Sequence, residues 1–338
     1  MRTFRLGFLG SLILAVAMTA CGGASKAPAP DGKAGHHYVI GTVGKVEGIA
    51  WFEDMKKGVQ RFASETGQDA FMQSPAQADA AQQVQIIENM IAQKVNALCV
   101  VPFSVEAVEP VLKKAREQGI LVIVHEASSQ QNADLIIEPF DNAAYGRHLM
   151  DRLAKDMGEE GEYATFVGSL NSKSHTEWVD AGVALQKEKY PRMHVVADKV
   201  EDYEDQNKSY EKMKELLTAH PNLKGVQTSA MGTAAGTGLA VEERGLQKKV
   251  SIVGTSLPSV SGQYIKSGAV RMISFWDPGL AGYAMNKIAV MMLEGQKVTA
   301  GTNLGLPGYG SLVQSKDKPT LFFGSAWWTS PARTSTST

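Results

Sequence analysis

The residues of this chain best suited to chemistry are polar and aromatic side chains that follow apolar runs. They suit recognition of a small guest rich in hydroxyls. A sugar or polyol in water needs planar polar groups for adjacent hydroxyls and aromatic faces for its C–H patches. Any polar group buried against it must find a partner, and that requirement makes such a site selective. Glu126 follows five apolar residues, Ile120 to Val124, with only His125 between. A carboxylate there can accept two hydroxyl hydrogens through charge-assisted bonds; its other role is a local pairing with a lysine or a helix N-terminus. Lys45 can donate to ligand oxygens or sit solvated, and Trp51 or Phe52 can stack on a ring, although Phe52 also begins the apolar face of a helix. Phe103 walls a cleft or covers a sheet end. Ser174 and His175 face a cleft if a helix starts near Thr176; the alternative for His175 is a helix N-terminal residue with no ligand. Ser229 and Met231 lie in a loop after a further strand, and Trp276 and Asp277 end another. Asp277 precedes Pro278, which holds it extended and aims the chain out of the sheet.

Motifs for other chemistries are missing. No GxGxxG follows a strand, and there is no HExxH, CxxC pair or GxSxG elbow. Gly41 to Lys45 resembles a phosphate loop only loosely, because Val46 stands where a hydroxyl residue is required. His36 and His37 are adjacent, and adjacent side chains diverge on an extended chain, which argues against a metal site. The expectation is therefore a binding protein without catalytic residues, metal or cofactor. An enzyme using the cleft acids is the alternative from a different class.

These loops need rigid elements to position them. Strand-like and helix-like segments alternate from His37 onward. Val95 to Val101 and Ile120 to Val124 are apolar on both faces, as strands of a parallel sheet covered by helices are. Phe52, Met55, Val59 and Phe62 recur at helical spacing, as do Val105, Val108, Val111, Leu112 and Ala115 before Gly119. The pattern breaks near Pro139-Phe140-Asp141 and restarts: strands at Tyr163 to Val167, His194 to Ala197, Val226 to Ser229 and Val250 to Gly254, helices at Glu177 to Lys189 and Asp205 to Ala219. Two such series imply two similar α/β lobes, each a doubly wound parallel sheet, with a cleft at the carboxyl ends of their strands.

The chain has 338 residues, enough for two domains, and 43% of them are hydrophobic, enough for a large core. A formal net charge of −1 gives no reason to expect nucleic acid as a partner. Arg2 and Arg5 precede an uncharged stretch from Leu6 to Met18, ending in Met18-Thr19-Ala20-Cys21. That reads as a signal peptide over residues 1–20, with Cys21 resembling the lipidated cysteine of bacterial lipoproteins. Residues 21–36 then form the lipidated N-terminus and a flexible linker rich in Gly, Ala and Pro. Cys99 reads as a buried core residue. Residues 330–338 read as a disordered Ser/Thr-rich tail. An export signal where a helix-turn-helix would stand argues against a DNA-binding repressor.

Three segments resemble a known family: Pro102 to Val108 with Ala115 to Ile120; Gly254 to Ser259; and Ile265 to Ala269, followed by Phe275-Trp276-Asp277-Pro278 and Gly282-Tyr283. They are similar to the rhamnose-binding and autoinducer-2-binding group of periplasmic solute-binding proteins, over about Tyr38 to Gln296. The resemblance implies a type I binding fold with a three-segment hinge. It places residues 37–141 plus 278–300 in lobe 1 and residues 142–277 plus 301–329 in lobe 2. It also implies a monomer that hands a sugar to an ABC transporter permease, at the periplasmic or cell-surface side of a membrane that holds the lipid anchor. The family's contacting lysine falls on Lys45, its cleft aspartate on Glu126 and its Trp-following aspartate on Asp277. Ser174-His175 replaces the Asp-Gln of autoinducer binders and the Asn-Gln of rhamnose binders, and Ser229-Ala230-Met231 replaces Pro-x-Ala. These departures argue against autoinducer-2 and favour another deoxy-sugar, a pentose or a polyol. A sensor that docks a chemoreceptor or histidine kinase is the runner-up role.

Overall fold

Period-two alternation within the apolar runs determines how the layers form. The computed structural model describes residues 36–331. Strands β1 (Val39–Val43), β2 (Asp69–Gln73), β3 (Ala97–Val100), β4 (Leu121–His125) and β5 (Leu135–Glu138) alternate with helices α1 (Ala50–Thr66), α2 (Ala80–Ala92) and α3 (Val105–Glu117). In β3, Leu98 and Val100 pack with Ile87, Met90, Val108 and Leu112 on the α2/α3 side. Ala97 and Cys99 pack with Met55 and Met285 on the opposite side. The strand is thus buried on both faces, which the continuous apolar run requires.

The second lobe repeats the plan. It holds α4 (Asn142–Met157), β6 (Glu160–Val167), α5 (Lys173–Lys189), β7 (Arg192–Glu201), α6 (Gln206–Ala219), β8 (Leu223–Thr228), α7 (Thr233–Glu243), β9 (Ser251–Thr255), α8 (Pro258–Ser267) and β10 (Met272–Phe275). Its parallel strands run in the order β10-β9-β8-β6-β7, the counterpart of β5-β4-β3-β1-β2 in the first sheet. Each sheet reverses direction beside its first strand, which opens a crevice at the strands' carboxyl ends. Aspartates stop the chain from fraying as it leaves those ends: Asp141 accepts from the Ala144 N–H at 2.7 Å, and Asp205 accepts from the N–H groups of Asn207 and Lys208.

Three segments cross between the lobes: Pro139 to Asp141, Trp276 to Asp277 and Gly324 to Trp327. Helix α9 (Pro278–Leu293) returns to α1 and the first sheet. Its approach is close, because a Cβ at Gly58 of α1 would lie 1.9 Å from the Gly279 carbonyl oxygen. Each crossing contributes an aromatic ring. Phe140 lies 5.2 Å from Trp276 and 5.2 Å from Trp327, centroid to centroid. One apolar cluster consequently runs through the hinge from α1 and α9 into α4 and α5.

The carboxyl-terminal assignment needs correction. Residues 301–329 were expected in lobe 2, yet β11 (Val313–Gln314) and β12 (Leu321–Phe323) extend the first sheet, with β12 parallel to β5. Only β13 (Trp328–Pro331) joins the second sheet, antiparallel to β10. Ser330 and Pro331, assigned to a disordered tail, belong to that strand. The β5 edge is otherwise unpaired, and an exposed edge draws in any available backbone. Residues 1–20, read as a signal peptide, Cys21 and the residues read as a linker up to 35 lie outside the described residues.

Candidate functional site

Loops from both lobes converge on one narrow, partly open cavity of about 20 Å³. The first lobe brings Lys45, Ile49, Trp51 and Phe52 after β1 and Glu126 after β4. The second brings His175 and Trp178 from α5, Glu204 after β7, Ser229 and Met231 after β8, and Thr255 at the end of β9. Trp276 comes from the hinge. Phe52 thus does both jobs that its position allowed, since it belongs to the core and also faces the cavity.

Lys45 is the electrostatic centre. Its side chain is 2% exposed, and Nζ donates to Glu126 Oε2 at 2.6 Å. The same ammonium reaches the second lobe, donating to Ser172 Oγ at 3.3 Å and lying 4.0 Å from Glu204 Oε1. Burial pulls its pKa down, but Glu126 and then Glu204 outweigh that, and the group stays charged above its ordinary value. Burial raises the Glu204 carboxyl, with Lys45 opposing and Glu126 adding to the rise. Both carboxylates sit on left-handed backbone, φ 58° at Glu126 and 61° at Glu204. Such geometry is strained for residues with a Cβ and is concentrated at functional positions. Around Glu204 the loop is anchored: Asp202 Oδ1 accepts from the Glu204 N–H at 3.1 Å, and Thr233 Oγ1 donates to Asp202 Oδ2.

The two nearby imidazoles are neutral. The Gly168 N–H donates to His175 Nδ1 at 3.1 Å, so that nitrogen carries a lone pair. Burial, helped by Lys45, holds His175 well below its ordinary pKa. His125 Nδ1 donates to the Ile137 carbonyl at 2.6 Å, and burial lowers its pKa as well.

Aromatic rings form the walls. Trp51 meets Trp276 edge to face at 4.5 Å, and Trp178 meets Trp276 at 5.7 Å. Trp178 is fixed by its Nε1–H, which donates to Asn142 Oδ1 at 2.8 Å. Four buried polar atoms lining this space have no partner among the described residues: Glu126 Oε1, Glu204 Oε1, Ser229 Oγ and Trp276 Nε1. Buried polar groups are rarely left so, and a cluster of them calls for a ligand that completes them. The site therefore offers donors and acceptors together, between flat apolar faces.

Three residues expected at the site stand elsewhere. Asp277 is exposed and caps α9, with Oδ1 accepting from the Leu280 N–H at 3.0 Å. Extension before Pro278 does aim the backbone out of the sheet, but the side chain folds back onto the helix it starts. Asp277→Ala is accordingly expected to cost about 1 kcal/mol in urea unfolding and to leave ligand affinity unchanged in calorimetry. Phe103 is buried beside α2, where its N–H donates to Gln83 Oε1 at 2.9 Å, and it does not line the cavity. Ser174 is buried behind the wall without reaching the cavity. Glu204, Ile49, Trp178 and Thr255 were missed. Glu204 lies in Glu201-Asp202-Tyr203-Glu204-Asp205, an acidic run that resembles a solvated turn before a helix cap. The signal available was positional: it too follows a strand and precedes a helix.

Residues 40–297 match a family described as the periplasmic binding protein domain. The D-xylose-binding periplasmic protein of Haemophilus influenzae is 28% identical over 263 residues, which is 75% of this chain and 76% of that one. An ABC transporter solute-binding protein from Clostridium phytofermentas, solved with bound L-rhamnose, has the same fold. It superimposes with a TM-score of 0.80 at 20% identity, over 88% of this chain and 96% of its own. LsrB from Clostridium saccharobutylicum, in complex with AI-2, gives 0.78 at 21% identity, over 87% and 97%.

Proposed function

Because the chain belongs to the periplasmic binding protein domain family, we propose that it binds one small sugar between its lobes and delivers it to an ABC importer. The single observation that carries this reading is the ring of unpartnered polar atoms around an aromatic-walled space between the lobes. Hydroxyls of a pentose, deoxy-sugar or polyol would complete Glu126, Glu204, Ser229 and Trp276, and Trp51 or Trp276 would face the ring. Relatives that bind xylose or rhamnose support the same size class.

Capture requires motion. The lining is buried almost throughout, so a guest enters only when the lobes part, and hinge motion at the three crossings supplies that step. Closure follows ligand only if the closed form binds it better. Contacts across the cleft are already in place for that form: Lys45 to Ser172, and Ser128 Oγ to Glu177 Oε1 at 2.5 Å. The chain acts by binding and release, without turnover of the sugar. Export by the residue 1–20 signal and anchoring through Cys21 would hold a monomer beside its transporter. A sensor role has no observation of its own in its favour.

The test is thermal unfolding with a panel of pentoses, deoxyhexoses, hexoses and polyols. A cognate sugar at a hundred times its Kd adds about 2.7 kcal/mol. A flat response across the whole panel, with calorimetry also silent, would reject the carbohydrate reading.

A further inference from the structure

The charges in the cavity do not balance. One ammonium, Lys45, faces the carboxyls of Glu126 and Glu204, the buried Glu138 carboxyl also acts on it, and both imidazoles nearby are neutral; burial favours the neutral form of Glu204 as long as no further cation joins it. Lys45 is committed to Glu126 at 2.6 Å and stands off from Glu204 at 4.0 Å. His175 is no substitute. Its Nδ1 lies 3.9 Å from Glu204 Oε1 but already accepts from Gly168. Among the described residues Glu204 Oε1 thus has no hydrogen bond, and it shares the Lys45 ammonium, at 4.0 Å, with Glu126. A buried carboxylate left in that state is costly, and a neutral hydroxyl would supply only the hydrogen bond. A protonated amine supplies both the bond and the charge. Trp51, Phe52 and Trp276 line the same space, and aromatic faces attract cations as well as sugar C–H groups.

We propose that the ligand is an amino sugar, a monosaccharide-sized polyol with one protonated amine, whose ammonium sits against Glu204. This rests on the carbohydrate reading above and narrows it. Glu204 is then the residue that sets specificity, and Lys45 with Glu126 holds hydroxyls as they would for any sugar.

Calorimetry at neutral pH on the full chain decides it, with matched triplets: D-glucosamine, D-galactosamine and D-mannosamine, their neutral parents, and their N-acetyl forms. At least one amine should bind about tenfold or more tighter than both its parent and its N-acetyl form, the size of one charge-assisted bond. Glu204→Gln should reduce that ratio to near one, because the amine loses more affinity than its neutral parent when the charge is removed. The wild-type ratios stand alone if the variant does not fold. Equal or tighter binding of the neutral or N-acetyl forms overturns the proposal but keeps a sugar-binding protein. So does a response to neutral pentoses with none to any amine. Silence from every sugar, neutral or amino, overturns this inference together with the reading beneath it.

Discussion

Truncating Glu126 to alanine is expected to cost about 3–5 kcal/mol of folding stability and to abolish measurable ligand binding. The stability cost comes from Lys45. Its ammonium is almost fully buried, and removing Glu126 leaves it without its 2.6 Å partner in an aromatic-walled space. Glu204 at 4.0 Å is too distant to replace that bond. Urea unfolding monitored by tryptophan fluorescence measures the loss. A second variant separates stability from recognition. Lys45→Met with Glu126→Met should recover most of the stability, because a buried ion pair exchanged for apolar side chains is often neutral, yet it should still bind no sugar. Wild-type stability in Glu126→Ala would mean that the two groups do not meet in the folded protein.

Trp276→Ala should be comparably severe, about 3–5 kcal/mol by the usual cost of an emptied aromatic site. Trp276 is 1% exposed and touches Trp51 of the first lobe, Trp178 of the second and Phe140 of the neighbouring crossing. Its loss removes the packing that ties the hinge to both lobes, along with one wall of the cavity. Ligand affinity should fall with stability, and small-angle scattering should report a more open particle that no longer contracts with sugar. Trp276→Phe should retain most of the stability while losing the Nε1–H, which has no partner among the described residues. Its affinity loss then isolates the ligand's use of that donor. Unchanged scattering and unchanged affinity in the alanine variant would remove Trp276 from both roles.

Much of the frame was legible beforehand. Apolar runs such as Ile120 to Val124 are strands because only a doubly covered sheet buries both faces of so continuous a run. Helix α3 starts where Ser104 can accept from Ala107 and is followed by Gly119, which takes φ 79°. The resemblance to solute-binding proteins rested on such segments, and the family match covers the same region. Lys45, Trp51, Phe52, Glu126, His175, Ser229, Met231 and Trp276 were all placed by one rule, position after a strand, and all line the cavity.

What the sequence determined by itself was local: period, caps, the glycine stops and the loops in which a site had to lie. Those features depend on neighbours within a few residues, so they survive without knowledge of the fold. Tertiary structure decided where side chains turn and which distant strands meet. Asp277 and Glu204 are both acids in loops after strands; one bends back to a helix N-terminus and the other is thrust inward on a left-handed backbone. Strands of two and three residues, β11 and β12, carry too little pattern to announce that they close the edge of the first sheet. The imbalance of charge around Lys45 exists only once groups 81 and more residues apart share one low-dielectric space, and no linear pattern encodes that.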